Sequence, residues 1–174
     1  MNIYLIGYRC TGKSTVGKHL ADLLGIDFLD MDRFMEDTLG TTIASLVKRE
    51  GWVFFRSLEK KTLMKTDFRS DTVIATGGGV VLDPNNVRFM KSHGSVVLLS
   101  ALETVILDRL GKDINTLSLR PSLTGAGTAE ETRALLQERT PIYKMAADFE
   151  VDTSFINPLE VAREIERRIN YGRQ

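Results

Sequence analysis

The sequence predicts an α/β fold in which helices cover both faces of one parallel sheet, giving a three-layer sandwich. Two observations carry this prediction. Short apolar runs alternate with longer stretches of helical periodicity, and no Pro-, Gly- or Ser-rich linker interrupts them. The chain has 174 residues, 43% of them hydrophobic, which suits one packed domain over residues 1–174.

Five short runs are predicted to form the strands of the sheet. The first, third and fourth are continuously apolar, as expected for parallel strands that are covered on both faces. In chain order the predicted strands are Ile3–Ile6, Asp27–Met31, Thr72–Ala75, Ser95–Leu99 and, as the weakest pattern, Phe149–Val151.

Helical periodicity occupies the intervals between these strands. The clearest case is Lys13–Leu24, where four apolar residues share one face before Gly25 ends the helix. Further helices are predicted over Arg33–Leu39, after Gly51, over Asn85–Ser92, over Glu130–Ala147 and from Asn157-Pro158 onward.

Composition excludes several classes of protein. Lys+Arg and Asp+Glu are both 23, so the formal net charge is zero, which argues against binding nucleic acid or an anionic membrane. The single cysteine, Cys10, excludes an internal disulfide and lacks the partners of a zinc site. No apolar run is long enough to span a bilayer, and the N-terminus lacks a signal-peptide pattern, so we expect a soluble cytoplasmic domain.

The strongest motif lies between the first strand and the first helix. Residues 7–14, Gly-Tyr-Arg-Cys-Thr-Gly-Lys-Ser, match the pattern G-x-x-x-x-G-K-[ST]. Such a loop wraps around an anion with its backbone N–H groups and the helix N-terminus aimed at phosphate oxygens. Lys13 is then predicted to reach the β- and γ-phosphates of a nucleotide, and the Ser14 hydroxyl to hold Mg²⁺. The alternative is a tight turn with an incidental lysine.

Two carboxylates follow the second predicted strand. Asp30 and Asp32 are two residues apart, so on a strand they would share a face at the carboxyl end, where α/β sheets bind ligands. One could help to hold the metal while the other accepts a proton from an attacking hydroxyl. Asp32 could instead cap the helix over 33–39. The phosphate-binding loop in the same domain favours catalysis.

Glycines and arginines supply the remaining candidates. Gly77–Gly79 follow a buried strand and would expose bare main chain to a ligand, although a bulged strand exit is the alternative. Arg56, Arg120 and Arg139 carry guanidinium forks that suit carboxylate and phosphate, whereas most arginines on helices are surface charges. Arg120 lies in residues 111–128, an irregular stretch that is typical either of a lid or of a surface insertion.

In order and approximate spacing these motifs resemble the shikimate kinase family over nearly the whole chain. The matching segments are 7–14, 29–32, 55–59, 77–79, 119–121 and 138–143. The resemblance implies a P-loop NTPase fold of the nucleoside-monophosphate-kinase type, with a five-stranded parallel sheet in the order 2-3-1-4-5. It also implies a shikimate-binding helical region at about 32–62 and a lid at about 111–128.

The same resemblance implies an activity. ATP and Mg²⁺ would phosphorylate the 3-hydroxyl of shikimate, giving shikimate 3-phosphate in the pathway to chorismate and the aromatic amino acids, and we expect a monomer. Asp32 would activate the hydroxyl, while Ser14, with Asp30 acting through water, would hold the metal. The implied catalytic residues are Asp32, Lys13 and Arg120, and the implied shikimate-binding residues are Asp32, Arg56, Gly78, Gly79 and Arg139. The implied nucleotide-binding residues are Cys10, Thr11, Gly12, Lys13, Ser14, Thr15, Arg109 and Arg120.

Two departures from the family pattern concern the nucleotide. Family loops commonly have glycine where this chain has Cys10. The stretch 153–157, Thr-Ser-Phe-Ile-Asn, lacks the basic residue that some members place near adenine, so any adenine contact there must be apolar or from main chain.

Two other functions remain open at this point. The chain could be a related kinase for another hydroxylated acceptor such as gluconate, because paired arginines would also bind that carboxylate. It could be a nucleotide-binding regulatory module that has lost catalysis. The presence of Lys13, Ser14, Asp32 and Arg120 together argues against the second of these.

Overall fold

Five parallel strands form the sheet, in the order β2-β3-β1-β4-β5. The computed structural model describes residues 2–68, 71–112 and 128–171. The strands are β1 (Asn2–Ile6), β2 (Asp27–Asp30), β3 (Thr72–Ala75), β4 (Gly94–Ser100) and β5 (Phe149–Asp152). The predicted number, direction and order of the strands are confirmed.

Seven α-helices connect and cover the strands within the described residues. They are α1 (Lys13–Leu24), α2 (Met31–Leu39), α3 (Ile43–Met64), α4 (Pro84–His93), α5 (Glu103–Lys112), α6 (Thr128–Ala146) and α7 (Pro158–Tyr171). Short 3-10 turns at Lys65–Phe68 and Val80–Leu82 complete the connections on either side of β3.

The central strand β1 shows why the fold has three layers. Tyr4 and Ile6 belong to a buried core with residues of α4, α5 and α6. Ile3 and Leu5 point the other way, into a second core with residues of α1 and α7. Since successive side chains of a strand alternate between faces, an entirely apolar strand requires helices on both sides. The predicted sandwich is confirmed.

Helices α2 and α3 form a smaller cluster of their own. Met35 of α2 packs with Ile43, Leu46, Val47 and Phe55 of α3. The prediction of a helix only after Gly51 was too short, because α3 begins at Ile43. The apolar residues Ile43, Leu46 and Val47 stabilise the part of α3 before Gly51 by packing in this cluster.

Gly51 bends α3 without ending it. Its φ of 82° and ψ of 169° are not helical, and a second helical stretch continues from there to Met64. The left-handed φ suits glycine, which pays no Cβ penalty in that region. The bend separates the part of α3 that packs on α2 from the part that carries Arg56.

The junction of β2 and α2 differs from the prediction. The strand ends at Asp30 rather than Met31, and Asp30 is the N-cap of α2, its Oδ1 accepting a hydrogen bond from Arg33 N at 3.2 Å. Asp32 therefore lies in the first turn of a helix. The expectation that Asp30 and Asp32 share a strand face was wrong, and so was the alternative in which Asp32 is the cap.

Two further expectations from the sequence concern a membrane span and the predicted lid. Among the described residues, none of the helices is both long and apolar enough to cross a membrane. Arg120 and all but the ends of the predicted lid at 111–128 lie outside the described residues.

Candidate active site

The site lies at the carboxyl edge of the sheet, where three strand exits meet. β1 leads into the loop at 7–12, β2 into Asp30, and β3 into Gly77–Gly79. In the sheet order, β1 lies between β3 and β4, so the chain connections diverge at its carboxyl end. Such switch points are where open α/β sheets bind ligands.

The loop after β1 has the backbone of an anion cradle. Gly7 and Gly12 have φ values of 136° and 92°, and a Cβ on Gly7 would overlap the Leu99 carbonyl oxygen. The hydroxyl of Thr11 donates to the Tyr8 carbonyl at 2.8 Å, which closes the loop on itself. The loop then runs directly into α1, whose N-terminus favours a bound anion.

Lys13 is held at the mouth of this loop. Its Nζ donates to the carbonyls of Gly7 at 2.9 Å and Tyr8 at 2.8 Å. These contacts keep the ammonium group over the same backbone that would surround a phosphate. That Lys13 reaches the phosphates of a nucleotide stays a prediction.

Ser14 and Asp30 supply the oxygen atoms for a metal site. Ser14 Oγ donates to Asp30 Oδ2 at 2.5 Å, which joins the start of α1 to the end of β2. Among the described residues, no group of three or more His, Cys, Asp or Glu side chains could hold a metal. Mg²⁺ does not need one, since it commonly takes one or two protein oxygens and completes its octahedron with phosphates and waters. The donor set therefore fits Mg²⁺ bound together with a nucleotide.

A cavity with about 680 Å³ of empty space, including the open solvent at its mouth, lies beside the phosphate-binding loop. Arg109 of α5 is fixed on its wall: Nη1 donates to the Cys10 carbonyl at 3.1 Å and Nη2 to the Thr153 carbonyl at 2.6 Å. Thr153 in turn donates to the Thr11 carbonyl at 3.1 Å. The cavity is lined by Cys10, Thr11, Gly12, Thr15, Val16, Arg109, Thr153, Ile156, Pro158 and Val161. Thus the stretch 153–157 contributes the apolar side chain of Ile156 and the hydroxyl-bearing side chain of Thr153.

A second cavity, with about 550 Å³ of empty space including the open solvent at its mouth, lies on the other side of the loop. It brings together predicted residues from four separate parts of the chain: α2, α3, the turn after β3, and α6. Its lining consists of Tyr8, Arg9, Asp32, Ile43, Trp52, Phe55, Arg56, Glu59, Gly77, Gly78, Gly79 and Arg139. The predicted substrate residues Asp32, Arg56, Gly78, Gly79 and Arg139 therefore share one cavity.

Arg56 is positioned by an ion pair within α3. Its Nη1 lies 2.6 Å from Glu59 Oε2, and Glu59 is almost fully buried. Burial raises the pKa of Glu59, while the neighbouring Arg56 guanidinium acts in the opposite direction and the charge of Asp32 adds to the rise. The buried carboxyl group restrains Arg56 at the wall of the cavity.

Two of the three glycines after β3 are explained by these side chains. A Cβ on Gly79 would overlap the Arg56 guanidinium, and a Cβ on Gly77 would collide with Glu59 Oε1 and lie 3.0 Å from Asp32 Oδ1. The interpretation of a bare main chain against a bound ligand is thus extended: the glycines also make room for the charged groups of the site.

Arg139 reaches the cavity from α6. It is 8% exposed, and its Nε has no hydrogen-bond partner among the described residues. One turn later the Tyr143 hydroxyl donates to the Gly78 carbonyl, and burial raises the pKa of Tyr143 to about 12. The neutral phenol therefore ties the helix that carries Arg139 to the glycine turn.

Sequence reasoning missed several residues of the site, among them Arg9, Trp52, Glu59 and Tyr143. Glu59 follows Arg56 by three residues, a spacing that places both on one helix face and could have revealed the pair. Trp52 and Tyr143 resemble ordinary core aromatics in the sequence. Arg9 occupies a variable position of the phosphate-loop motif, and nothing in its local sequence indicates which cavity it faces.

With this geometry in place, comparisons with known proteins identify the family. The family model for shikimate kinase matches residues 9–170. A shikimate kinase from Syntrophus aciditrophicus is 43% identical over 99% of this chain and 92% of its own length. Shikimate kinase 2 from Yersinia enterocolitica is 42% identical over 94% of this chain and 92% of its own.

A solved structure agrees with these sequences. Shikimate kinase from Acinetobacter baumannii, in complex with shikimate, superposes with a TM-score of 0.91 at 36% identity, covering 98% of this chain and 93% of that one. The strand order, the phosphate-binding loop and the matches over nearly the full length thus lead to one conclusion: the chain belongs to the shikimate kinase family.

Proposed function

We propose that this chain transfers the γ-phosphoryl group of ATP to the 3-hydroxyl of shikimate, with the two cavities on either side of the phosphate-binding loop holding the two substrates. The observation that carries the proposal is the convergence of Asp32, Arg56 and Arg139 in the 550 Å³ cavity next to that loop. Such a set of groups suits a hydroxylated carboxylic acid as the ligand.

The acceptor carboxylate would be bound by Arg56 and Arg139. Each guanidinium can donate two parallel hydrogen bonds to a carboxylate, and such charge-assisted pairs are the strong ones. Arg139 retains a buried Nε–H for this purpose. The main chain of Gly78 and Gly79 would lie against the ring, in the space that their missing side chains leave.

Asp32 would accept the proton of the attacking hydroxyl. It lines the acceptor cavity in the first turn of α2, adjacent to the cap residue Asp30 that reaches the phosphate-binding loop. A carboxylate that contacts the hydroxyl can orient its oxygen for in-line attack and take up the proton as the phosphoryl group transfers.

On the donor side, the residues Cys10–Thr15 would hold the phosphates and Arg109 would border the base. Lys13 would exchange its two carbonyl contacts for the β- and γ-phosphates and stabilise the charge of the transferring group. Ser14 and Asp30, the latter through water, would hold Mg²⁺, which would supply positive charge against the phosphates of the nucleotide. Arg120 is proposed, on the resemblance alone, to approach the same phosphates.

We propose, on the resemblance alone, that the working form is a monomer in the cytoplasm. The acceptor assignment is tested by measuring ADP release with shikimate, with gluconate and without an acceptor. Shikimate-dependent ADP release, with a product whose NMR spectrum places phosphate on the 3-oxygen, is expected. Gluconate-dependent release of equal efficiency would contradict the assignment.

A further inference from the structure

Arg9 belongs to the phosphate-binding loop and also lines the acceptor cavity. The two walls are in close contact here, because a Cβ on Gly78 would lie 3.7 Å from Arg9 N. Arg9 therefore stands at the boundary between donor and acceptor sites.

The guanidinium of Arg9 is fixed in place by two neighbours. Its Nη2 lies 3.6 Å from Glu131 Oε1 in the first turn of α6, and its Nε donates to the Tyr8 hydroxyl at 3.2 Å. The side chain of Glu131 is 2% exposed and that of Arg9 is 13% exposed. A carboxylate this deeply buried requires a cation beside it, so the pair restrains both side chains.

Besides these two contacts, the Arg9 guanidinium has N–H groups with which it can bind a ligand. The separation of 3.6 Å from Glu131 is an ion pair but too long for a good hydrogen bond. Within the described chain, no hydrogen-bond acceptor contacts Nη1. Arg9 lines the same cavity as Arg56 and Arg139, and three guanidinium groups around one cavity suit an anionic acceptor rich in oxygen atoms.

We propose that Arg9 is a specificity-determining residue of the acceptor site: it supplies a third guanidinium, beside those of Arg56 and Arg139, that binds the acceptor on the side facing the phosphate-binding loop. Glu131 is a positioning residue that acts through Arg9. The inference rests on the proposed function, because it takes the 550 Å³ cavity to be the shikimate site.

The test compares Arg9→Met and Glu131→Gln with the matched control Arg167→Met, which removes an exposed arginine that pairs with Glu164 on α7 and lines neither substrate cavity. Methionine keeps length and removes the charge. We expect Arg9→Met to raise KM for shikimate about tenfold, the loss of roughly one charge-assisted hydrogen bond. The affinity for ATP measured without shikimate should change less than twofold, and Arg167→Met should match the wild type.

Glu131→Gln separates positioning from mere stability. We expect it to raise KM for shikimate about threefold alone and to have no further effect in the Arg9→Met background, because its influence passes through Arg9. An equal threefold effect in both backgrounds would overturn the positioning role.

The remaining outcomes are also decisive. If wild-type protein does not phosphorylate shikimate, the proposed function fails. If it does, and Arg9→Met keeps KM within twofold or instead loses affinity for ATP, only the Arg9 inference is overturned. Arg9→Gln, which keeps a polar side chain, repeats the measurement should the methionine variant not fold, with the same rise in KM expected.

Discussion

Asp30 joins Ser14 to helix α2 through one carboxylate. Its Oδ2 accepts a hydrogen bond from Ser14 Oγ at 2.5 Å, and its Oδ1 accepts one from the backbone N–H of Arg33 at 3.2 Å. The first contact lies in the proposed metal site, and the second caps the helix that carries Asp32. A single side chain thus sets the position of the proposed base relative to the phosphate-binding loop.

The two contacts of Asp30 are separable by substitution. Asn caps helices about as well as Asp but carries no charge, so Asp30→Asn should keep the free energy of unfolding within about 0.5 kcal/mol while raising the Mg²⁺ concentration needed for half-maximal rate. Asp30→Ala should in addition lose about 1 kcal/mol of stability. Thermal unfolding and Mg²⁺ titrations of the rate measure both. An Asp30→Ala variant as stable as Asp30→Asn would show that capping by this side chain does not contribute to stability.

Asp32→Asn tests the proposed base. The amide keeps the shape of the side chain and accepts no proton, so kcat should fall by roughly 10²-fold or more. Because the cap is Asp30, α2 should lose only the interaction of the Asp32 charge with the helix N-terminus, about 0.3–1 kcal/mol, and the melting temperature should stay near that of the wild type. Turnover and thermal unfolding are measured together. An Asn variant with wild-type kcat would remove Asp32 from catalysis.

Much of the fold could be predicted because its signals are local. The apolar strand Ile3–Ile6 and the motif ending in Lys13-Ser14 each depend on neighbouring residues, so their pattern survives without knowledge of the rest of the chain. The wrong expectation that Asp30 and Asp32 share a strand face has a definite cause. An aspartate can end a strand, cap a helix or sit in its first turn, and the choice depended on where β2 stopped pairing with β3.

The composition of the acceptor cavity was less accessible to sequence reasoning. Arg56 and Arg139 were found through their motifs, but Arg9 and Tyr143 acquire their roles only through contacts across the fold. Arg9 meets Glu131 across 122 positions of sequence, and Tyr143 meets Gly78 across 65. No local pattern encodes such pairs, because each residue type is also common at positions with no function.

Glu59→Gln should alter the pH dependence of stability. Burial raises the pKa of Glu59 above its ordinary value of 4.5, so between that value and the raised one the folded protein holds a proton that the unfolded chain has lost. Stability of the wild type relative to Glu59→Gln should therefore fall as pH rises above 4.5 and level off once Glu59 is ionised in the folded state. Melting temperatures from pH 4 to pH 9 measure this.

Glu164→Gln is the matched control, because the pKa of the Glu164 carboxyl group shifts in the opposite direction. Its hydrogen bond from Arg168 lowers the pKa of the exposed Glu164 carboxyl group, so any stabilisation by Glu164 is present above the ordinary pKa and is lost as pH falls through the lowered one. A constant difference in melting temperature between the wild type and Glu59→Gln at all pH values would contradict the assignment of a buried, titrating Glu59.

Cys10→Gly should be close to neutral. Cys10 has a φ of 61°, a left-handed conformation that costs a non-glycine residue about 1 kcal/mol. Glycine removes that cost but increases the entropy of the unfolded chain by a similar amount, about 0.4–1 kcal/mol. The free energy of unfolding should change by less than about 1 kcal/mol, and KM for ATP by less than twofold. The contrasting variant is Cys10→Val. A β-branched residue tolerates this φ poorly, so valine should destabilise the loop.

Equal stability of the Val and Gly variants would show that the loop backbone is not constrained.

The acceptor arginines test the substrate assignment most directly. Lysine keeps the charge of arginine but has no planar fork, so it separates geometry from electrostatics. Arg139→Lys should raise KM for shikimate well above tenfold, on the order of 1.5–3 kcal/mol for a charge-assisted bond. Affinity for ATP without shikimate should barely change, because Arg139 lines the acceptor cavity and not the nucleotide cavity.

Arg56→Lys should act in the same direction and more mildly. A lysine can still pair with the buried Glu59, which lies 2.6 Å from Arg56 Nη1, so the carboxyl group is not left alone. The double variant should lose less than the sum of the two single losses, because both residues act on one carboxylate. Arg109→Lys is the matched control. It should weaken the binding of ATP and leave KM for shikimate unchanged, since Arg109 borders the nucleotide cavity. If instead both acceptor variants lose affinity for ATP while KM for shikimate holds, the arginines face the nucleotide, and the acceptor must bind elsewhere.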